Sequence, residues 1–346
     1  MKAAPLSRAL RRENHEVLVH SGQHYDPELA DLFFDELDIP APDHALEVGA
    51  GSPNIQLSTM LARLDPLIES ERPDLVMVYG DTTTTLAGAL AAAKRDVPIA
   101  HVEAGLRSFV RSMPEEQNRV VTDHLSELLF VPTQVAVDNL AAEGIGSGVH
   151  VVGDVMYDAA LLFAPVAAGR EGASRYGLGP GEYALVTVHR AAATDTREAL
   201  ESLVEVLRAL GRPAIFPVHP RTRAKLEAAG LWDDVTAIPD LHVAPPVGYL
   251  DFTSLLTTAA VVVTDSGGVQ KEAYFHGIPC VTLRDETEWV ETVAGGFNTL
   301  TGMDPAKVVT ALASTDIPAD RPAYYGDGDA AGRITAILHD WAAGRA

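Results

Sequence analysis

The sequence of 346 residues contains one cysteine and no long apolar run. A single cysteine, Cys280, excludes an internal disulfide framework and a thiolate metal cage, and its setting in GIPCVTL predicts a buried, inert thiol. No apolar run has the length that a bilayer span requires. The opening residues, MKAAPLSRALRRENHE, carry charges where a secretory signal needs an apolar stretch. We therefore expect a cytoplasmic protein that does not contact membranes.

Positive charge is also scarce, and lysine above all. The chain has 26 lysine and arginine residues against 48 aspartate and glutamate residues, and only five of the 26 are lysines. The formal net charge is -22 and the pI is about 4.8. This balance disfavours a nucleic-acid partner. A small anionic ligand can still bind where local cations and backbone N–H groups offset the negative field.

Short apolar runs alternate with longer helical patterns along most of the chain. The runs that predict buried strands are HEVLVHSG, DLVMVYG, VPIAHVEA, LLFVPT, VHVVG, YALVTVH, PAIFPVH, VTAIPD, AAVVVTDS, PCVTL and FNTLTG. Such alternation is typical of βα units and a parallel sheet. The glycine-rich segment GREGASRYGLGPGE separates two series of strands, which indicates a domain boundary. We expect an α/β fold of two Rossmann-like domains with a central cleft.

The expected boundaries follow from this pattern, because the chain is too long for one ordinary core. Residues 1–165 form the predicted N-terminal domain and residues 166–328 the predicted C-terminal domain. The last segment, residues 329–346, carries a helical pattern over Ala330–Ala343. We expect this helix to pack back on the N-terminal domain.

Acidic residues follow two successive predicted strands. Asp81 comes after LVMVYG, and Glu103 ends VPIAHVE. Open α/β sheets keep their ligand-binding groups at such strand ends. Asp81 could instead cap the next helix, although Thr82 to Thr85 offer side chains for the same purpose. Glu103 stands in HVEAGLRS between a histidine and an arginine, which favours a chemical role.

A third acidic segment is MPEEQNRVVTDHL. Pro114 at a helix start, with Glu115 and Glu116 in the first turn, is good N-terminal helix chemistry by itself. Arg119 follows Glu115 by four positions, so the two side chains can pair on one helix face.

Histidine and arginine follow two successive strands of the second series. TVHRAAATD places His189 and Arg190 at one strand end, and PVHPRT places His219 and Arg221 at the next. A single histidine is more often structural, but two such pairs favour anion binding or proton transfer.

The segment VVVTDSGGVQKEA carries the strongest local signal. Gly267 and Gly268 follow Ser266 between a strand and a helix, so backbone N–H groups could face a phosphate. Glu272 lies one turn later and could hold a ribose. A tight strand-to-helix turn is the structural alternative. The segment has no Gly-Lys-Ser/Thr continuation, and no spaced glycine fingerprint for NAD occurs at the first strand.

These segments together resemble the non-hydrolysing UDP-N-acetylglucosamine 2-epimerases. The likeness covers nearly the whole chain and includes SGQHYD, YGDTTTTLAGALAA, HVEAGLRS, MPEEQNR, TVHRA, VHPRT, TDSGGVQKEA and PCVTLRDETEW. The resemblance implies a GT-B-like two-domain fold, a homodimer, and a UDP-sugar bound in the cleft. It also implies that neither a metal nor another cofactor is needed.

The resemblance further implies a reaction and its residues. The C2 proton is removed and UDP leaves, which gives a 2-acetamidoglucal; UDP then returns while C2 is reprotonated on the other face. UDP-GlcNAc and UDP-ManNAc are interconverted in this way. The implied acid–base residues are Asp81, Glu103 and Glu115, with His189 near the diphosphate. The implied UDP-sugar contacts are Ser266, Gly267, Gly268, Glu272, Arg284, Glu288 and Arg119. A second, regulatory UDP-GlcNAc site is implied at Gln23, His24, Arg190 and His219.

Three features depart from the pattern of the relatives. Relatives begin with a β-strand and a Gly-Thr-Arg-Pro-Glu loop, whereas MKAAPLSRAL matches the helix that follows this loop. We therefore expect the first strand of the N-terminal domain to be missing. The expected reason is a start codon assigned too far downstream. Ala192 and Ala193 stand where relatives usually carry Glu-Asn, which removes polar groups near the sugar or the regulatory site. Lys271 stands where many relatives carry Glu.

Three alternatives to a UDP-GlcNAc 2-epimerase follow. The same chemistry could act on a modified sugar such as a UDP-diacetamido-uronic acid. A GT-B glycosyltransferase is a second enzyme class, which the set of three acids disfavours. A non-catalytic UDP-sugar binder is the third alternative, and the missing loop and the two alanines support it.

Overall fold

The computed structural model describes residues 1–22, 36–37 and 39–345. Contacts within the chain divide it into two compact units. The first unit combines Met1–Leu162 with Ala323–Ala346, and the second is Phe163–Pro322. None of the helices in the described ranges combines the length and the apolar character that a membrane span needs.

The first unit alternates strands and helices. Its strands are β1 (Val19–His20), β2 (His44–Ala45), β3 (Val76–Tyr79), β4 (Ile99–Val102), β5 (Leu128–Val131) and β6 (Val149–Val151). Its helices are α1 (Ala3–Leu10), α2 (Pro53–Glu71), α3 (Thr83–Lys94), α4 (Pro114–Leu125), α5 (Gln134–Ala142), α6 (Val155–Ala167, which continues past Leu162) and, at the C-terminal end, α15 (Ala330–Ala343). Strands β1 and β2 form a parallel pair, and β3-β4-β5-β6 form a parallel sheet in chain order.

The register of this four-stranded sheet places the two predicted acids at one edge. Tyr79 pairs with Val102, so the chain turns out of β3 and β4 at the same level. Asp81 and Glu103 follow directly, since parallel strands end on the same side of a sheet. Strands β4 and β5 are buried along their whole length, as their continuous Val, Ile, Leu and Phe content predicts.

Helices α1 and α15 cover one face of this sheet. Leu6 of α1 and Ile334 of α15 join the apolar cluster around Val102 and Phe130. Asp158 of α6 caps the start of α15, because its carboxylate accepts hydrogen bonds from the N–H groups of residues 330 and 331 at 3.0 and 2.7 Å. The helical pattern over Ala330–Ala343 is confirmed residue for residue.

The second unit contains one larger sheet. Its strands are β7 (Ala184–Thr187), β8 (Ala214–Pro217), β9 (Leu241–Ala244), β10 (Val261–Thr264), β11 (Cys280–Thr282) and β12 (Asn298–Leu300). Its helices are α7 (Ala191–Thr194), α8 (Arg197–Arg208), α9 (Pro220–Ala228), α10 (Trp232–Thr236), α11 (Tyr249–Thr258), α12 (Gly267–His276), α13 (Val290–Ala294) and α14 (Pro305–Leu312), with a 3-10 turn at Gly172–Tyr176.

These six strands are parallel in the order β12-β11-β10-β7-β8-β9. The order reverses between β10 and β7, where Thr264 pairs with Thr187. A reversal of this kind leaves a crevice at the carboxyl ends of the two strands, which is where open α/β sheets bind ligands. His189 follows β7 and Ser266 follows β10, so the structure brings both predicted segments to this point.

The structure corrects one predicted strand and shortens another. VTAIPD is not a strand: Thr236 ends helix α10, and the strand that pairs with β8 begins at Leu241. The run is apolar because Val235 and Ile238 pack into the core of the sheet from a helix and a turn. HEVLVHSG contains a strand of two residues only, Val19–His20.

Cys280 behaves as the sequence predicts. It is buried in β11, and burial raises the pKa of its thiol to about 12. The thiol is therefore protonated at neutral pH and is a poor nucleophile.

Candidate functional site

Asp81 does not cap the helix that follows it. The side chain of Thr82 accepts a hydrogen bond from the N–H of Thr85, and the Thr85 hydroxyl accepts one from the N–H of Thr82 at 3.2 Å. This reciprocal capping box satisfies the start of α3 without a carboxylate. The Asp81 carboxylate instead contacts the guanidinium of Arg119 and keeps 31% of its side-chain surface exposed. Of the two interpretations left open by the sequence, the structure removes capping.

Helix α4 holds Asp81 from its buried face. Arg119 also donates to Glu116 at 2.8 Å, and Asn118 donates to the backbone carbonyl of Asp81 at 2.8 Å. Glu116 in turn accepts hydrogen bonds from the N–H groups of Ser108 and residue 109, each at 2.9 Å. The described contacts of Arg119 therefore include Asp81 and Glu116, whereas the sequence analysis paired Arg119 with Glu115.

Glu103 has an unusual backbone and a cationic neighbour. Its φ is +72°, a left-handed conformation that non-glycine residues seldom adopt and that is often retained at functional sites. Its side chain is 8% exposed and forms an ion pair with the ammonium of Lys2. A Cβ atom at Gly80 would lie 2.8 Å from the same Nζ atom. Lys2 therefore lies between the ends of β3 and β4.

Sequence reasoning missed Lys2. It is one of five lysines in the chain and directly precedes helix α1, whose Leu6 packs beneath the sheet at Val102. Only the packing of α1 brings the lysine to Glu103, so no local pattern identifies it.

Glu115, the third predicted acid, lies in the first turn of α4 and is partly exposed. The structure thus places Asp81, Glu103, Glu115 and Arg119 in the first unit. Asp81 and Arg119 are in direct contact.

A buried polar network lies behind these strand ends. His101 approaches Asp123 through Nδ1 at 2.6 Å and the carbonyl oxygen of Gly80 through Nε2 at 2.7 Å. Asp123 also accepts from the N–H of Gly105 at 3.1 Å and from Arg107 at 2.7 Å. Burial raises the pKa of Asp123, but the charges and hydrogen bonds of His101 and Arg107 outweigh it and lower that pKa overall.

In the second unit, Asp265 holds the predicted His189–Arg190 pair. Its buried carboxylate accepts from the N–H of His189 at 2.9 Å and from the N–H of Arg190 at 2.7 Å. The Nδ1 atom of His189 lies 3.3 Å from the same carboxylate, while the imidazole is 41% exposed. His189 is thus oriented from one side and accessible from the other.

His219 and Arg221 follow the next strand of that sheet. The ring centroids of His189 and His219 are 5.7 Å apart. His219 caps α9, because its Nδ1 accepts from the N–H of Arg221 at 3.1 Å. The Arg221 guanidinium pairs with Asp195 at 2.6 Å. The two histidines are therefore neighbours, and Arg221 is directed to a surface acid.

The Ser-Gly-Gly loop opens helix α12. The N–H of Ser266 donates to the Thr264 hydroxyl at 3.0 Å, and the serine side chain does not cap the helix. A Cβ atom at Gly267 would lie 3.6 Å from the indole nitrogen of Trp289 and 3.8 Å from atoms of both Arg190 and Glu288. The glycine loop thus lies beside an arginine and an acid that the resemblance had assigned.

Arg284 and Glu288 form a buried pair. Nη1 and Nη2 of Arg284 lie 3.1 and 3.2 Å from the two carboxylate oxygens of Glu288, and Nη2 lies 3.0 Å from Glu286. Burial lowers the pKa of Arg284, but Glu288 and Glu286 outweigh it and raise that pKa overall. Together with the glycine contact, this pair places Arg284 and Glu288 at the loop.

Two further residues on α12 are buried. Glu272 lies close to Tyr249, whose pKa is raised by burial and by this carboxylate. Lys271 lies with its ammonium 4.2 Å from the centroid of the Trp289 ring. The lysine that departs from the relatives therefore takes part in a cation–π contact.

Ala192 and Ala193 lie in the short helix α7 after Arg190.

Two further predictions concern the regulatory site and metal binding. Gln23 and His24, predicted for a regulatory site, lie outside the described residues. Within the described part of the chain, no group of three or more His, Cys, Asp or Glu side chains is arranged to hold a metal ion.

Comparison with known proteins gives the family. Residues 8–339 match the family model described as UDP-N-acetylglucosamine 2-epimerase. A Methanococcus maripaludis protein named UDP-N-acetylglucosamine 2-epimerase homolog is 46% identical over 343 residues, which cover 98% of this chain and 96% of the relative. A Pseudomonas aeruginosa UDP-2,3-diacetamido-2,3-dideoxy-D-glucuronate 2-epimerase is 45% identical over 351 residues, with coverage of 98% and 96%.

A solved structure gives the same result. The crystal structure of Methanocaldococcus jannaschii UDP-GlcNAc 2-epimerase in complex with UDP-GlcNAc and UDP matches with a TM-score of 0.91 and 40% identity, over 98% of this chain and 96% of that one. The expected α/β fold of two Rossmann-like domains, GT-B-like in class, is confirmed by this match. The chain belongs to the UDP-N-acetylglucosamine 2-epimerase family.

Proposed function

We propose that this protein is an isomerase that interconverts UDP-GlcNAc and UDP-ManNAc by eliminating and re-adding UDP. The observation that carries the proposal is the pair of acids at the ends of adjacent strands. Asp81 contacts Arg119, Glu103 contacts Lys2, and the capping box before α3 leaves the Asp81 carboxylate available. The family match supports the same chemistry.

The proposed reaction has two balanced steps. In the first, a carboxylate takes the proton from C2, the C–H electron pair becomes the C1–C2 double bond, and the C1–O bond breaks as UDP leaves. In the second, UDP adds back to C1 while an acid returns a proton to the opposite face of C2. Two faces require acid–base groups on two sides of the sugar, so one carboxylate is not enough.

Asp81, Glu103 and Glu115 are the acid–base groups of this proposal. Arg119 and Lys2 hold two of these carboxylates in place before any ligand binds, because each cation makes a direct ion pair. Fixed groups of this kind lower the entropy that the reaction must lose. Arg119 is also one of the proposed sugar contacts, because it pairs with the Asp81 carboxylate.

The second unit supplies the groups proposed to bind UDP. The N-terminus of α12, with Ser266, Gly267 and Gly268, offers N–H groups and a favourable helix dipole to a diphosphate. Arg190 lies beside this loop and adds positive charge. Glu272, one turn into the helix, is the proposed ribose contact. His189, oriented by Asp265 and partly exposed, is proposed to face the diphosphate.

Arg284 and Glu288 are proposed sugar contacts beside the same loop. Glu288 lies close to Gly267, and Arg284 pairs with Glu288. The proposed regulatory site would use Arg190 and His219 of this unit together with Gln23 and His24. A homodimer and a cytoplasmic location belong to the same proposal.

A modified sugar is the second candidate substrate. The Pseudomonas aeruginosa relative named for a diacetamido-glucuronate is 45% identical to this chain, against 46% for the Methanococcus maripaludis relative named for UDP-GlcNAc. One percentage point does not favour either sugar, so both belong in the same assay.

The test is proton NMR of each UDP-sugar in deuterated water with the purified protein. We expect deuterium at C2 and the appearance of the C2 epimer with UDP-GlcNAc, and undiminished rates in EDTA. If deuterium entered C2 of the UDP-diacetamido-uronate alone, the second candidate would be the substrate. Stabilisation by UDP without exchange in either sugar would indicate a non-catalytic binder. Transfer of the sugar to an added acceptor would indicate a glycosyltransferase.

A further inference from the structure

His101 is a buried histidine whose two ring nitrogens both face hydrogen-bond acceptors. Its side chain and that of Asp123 are 0% exposed. Nδ1 lies 2.6 Å from an Asp123 oxygen, and Nε2 lies 2.7 Å from the carbonyl oxygen of Gly80. A carbonyl oxygen can only accept, so Nε2 must carry a proton. A neutral imidazole would then have no proton at Nδ1.

The state of Asp123 decides where the remaining proton lies. Its other oxygen accepts from Gly105 N–H at 3.1 Å and from Arg107 at 2.7 Å, which favours an ionised carboxylate. The proton between Asp123 and His101 therefore belongs to the histidine.

Arg107 extends this network to the protein surface. Arg107 makes paired hydrogen bonds of 2.7 Å with Glu143, and His124 lies 3.3 Å from that carboxylate at the exposed end of the network. With His101 charged, two buried cations, His101 and Arg107, face two carboxylates, Asp123 and Glu143. An imidazolium at His101 therefore has two carboxylates to balance its charge, Asp123 in direct contact and Glu143 through Arg107.

This network acts on the two strand ends that carry the proposed acids. His101 binds the carbonyl of Gly80, the residue before Asp81. Asp123 binds the N–H of Gly105, two residues after Glu103. A Cβ atom at Gly105 would lie 2.6 Å from the Ala136 carbonyl oxygen, so the backbone of Gly105 is closely packed against Ala136. The left-handed backbone of Glu103 needs such surroundings to persist.

We propose that His101 is held as an imidazolium and, together with Asp123, positions the carboxylates of Asp81 and Glu103 for proton transfer. The protonation of His101 is inferred from the hydrogen-bond network alone, whereas its positioning role rests on the proposed function. Both side chains are fully buried, so they are positioning residues and do not touch the substrate.

The first experiment tests protonation and needs no turnover. Histidine side chains of the intact protein are labelled with 15N, and long-range proton–nitrogen spectra are recorded at pH 7.5. We expect one histidine with both ring nitrogens in the protonated range, and we expect its signals to move in the Asp123→Asn protein. His150, whose pKa burial lowers, gives the neutral pattern as an internal reference. A neutral tautomer for His101 would overturn the assignment.

The second experiment tests positioning by comparing two matched variants. Asp123→Asn keeps the shape of the side chain and removes its charge, and we expect kcat to fall about 10- to 100-fold with KM within about twofold, because misplacement of reacting groups costs rate more than binding. Asp158→Asn is the control: it is the same change at another buried acid of the first unit, which binds backbone N–H groups of α15. We expect it to lower stability and leave kcat within about twofold.

The outcomes separate the two proposals. Equal losses of kcat in both variants, or a loss at Asp123→Asn that appears only in KM, would overturn the positioning role. Absence of C2 exchange in the unaltered protein, with imidazolium signals present, would overturn the proposed function and the positioning role with it but leave the protonation assignment in place.

Discussion

The guanidinium of Arg119 contacts the carboxylate of Asp81, although 38 positions separate them in the chain. Arg119 reaches Asp81 because helix α4 packs against the strand ends with its polar residues inward. The same guanidinium donates to Glu116, which binds the loop after Glu103. One arginine therefore connects the end of β3 with the loop that follows β4.

Replacing Asp81 tests whether this carboxylate transfers a proton. Asp81→Asn should lower kcat about 10²- to 10⁴-fold, the range that general acid–base groups contribute. UDP affinity should stay within about twofold, because the proposed nucleotide contacts lie in the second unit. The rate of C2 deuteration and calorimetric titration with UDP measure the two effects.

Thr82→Ala is the control for that variant. It removes the hydroxyl that caps α3, so the free energy of unfolding should fall by about 1 kcal/mol while kcat is retained. An Asp81→Asn protein that resembled Thr82→Ala, with lower stability and full activity, would make Asp81 structural.

Replacing Lys2 tests the cation beside Glu103. Lys2→Met removes the ion pair from a carboxylate that is 8% exposed, so the Glu103 side chain loses a charged contact that helps to fix it. We expect kcat to fall at least about 10-fold, since hydrogen bonds to charged groups contribute about 1.5–3 kcal/mol. Lys94→Met, at an exposed position in the last turn of α3, should leave kcat unchanged. Equal activity of the two variants would exclude a role for Lys2.

Replacing Gly267 tests the proposed phosphate loop. A Cβ atom there would meet atoms of Trp289, Arg190 and Glu288 at 3.6–3.8 Å, which is ordinary van der Waals contact, so Gly267→Ala should fold normally. A diphosphate that approaches the backbone would meet the added methyl group, and we expect the Kd for UDP to rise at least about 10-fold, or 1.4 kcal/mol.

Gly51→Ala provides the matched substitution at an exposed site, where the nearest atom to the new Cβ would be 3.5 Å away. UDP titration of both variants, with their melting temperatures, gives the comparison. Unchanged UDP affinity in Gly267→Ala would place the nucleotide elsewhere.

His276 at the end of α12 should make stability depend on pH. Burial, followed by the charge of Arg321, lowers its pKa from 6.5 to about 4. The unfolded chain therefore takes up a proton first as the pH falls below 6.5, and stability is lost progressively until about pH 4. The loss amounts to at most about 3.4 kcal/mol, because the shift is about 2.5 pKa units and each unit is worth 1.36 kcal/mol.

Urea unfolding of the unaltered protein and of His276→Gln at several pH values isolates this contribution. The difference in free energy of unfolding between the two proteins should change between pH 6.5 and 4 and be constant above pH 7.5. A constant difference over the whole range would show that His276 does not titrate as the structure indicates.

Sequence patterns predicted most of the strands and the polar residues that end them, but they did not identify β2 or β9. Apolar alternation located all but one of the predicted strands, and Pro114 and the Ala330–Ala343 pattern marked helices correctly, because strand and helix periodicity and helix starts are local properties. VTAIPD failed because an apolar run packs into a core equally well from a helix and a turn. The glycine loop and both histidine pairs were visible for the same local reason, and their roles in catalysis and binding remain predictions.

Which side chains meet depends on the tertiary structure. Arg119 contacts Asp81, Lys2 contacts Glu103, and His101 contacts Asp123, and in each pair the partners come from different elements. Strand register and helix packing bring these residues together, and neither is encoded in a window of neighbouring residues. Whether a strand-end acid remains available for chemistry therefore depends both on neighbours that cap the next helix, here Thr82 and Thr85, and on distant partners such as Arg119.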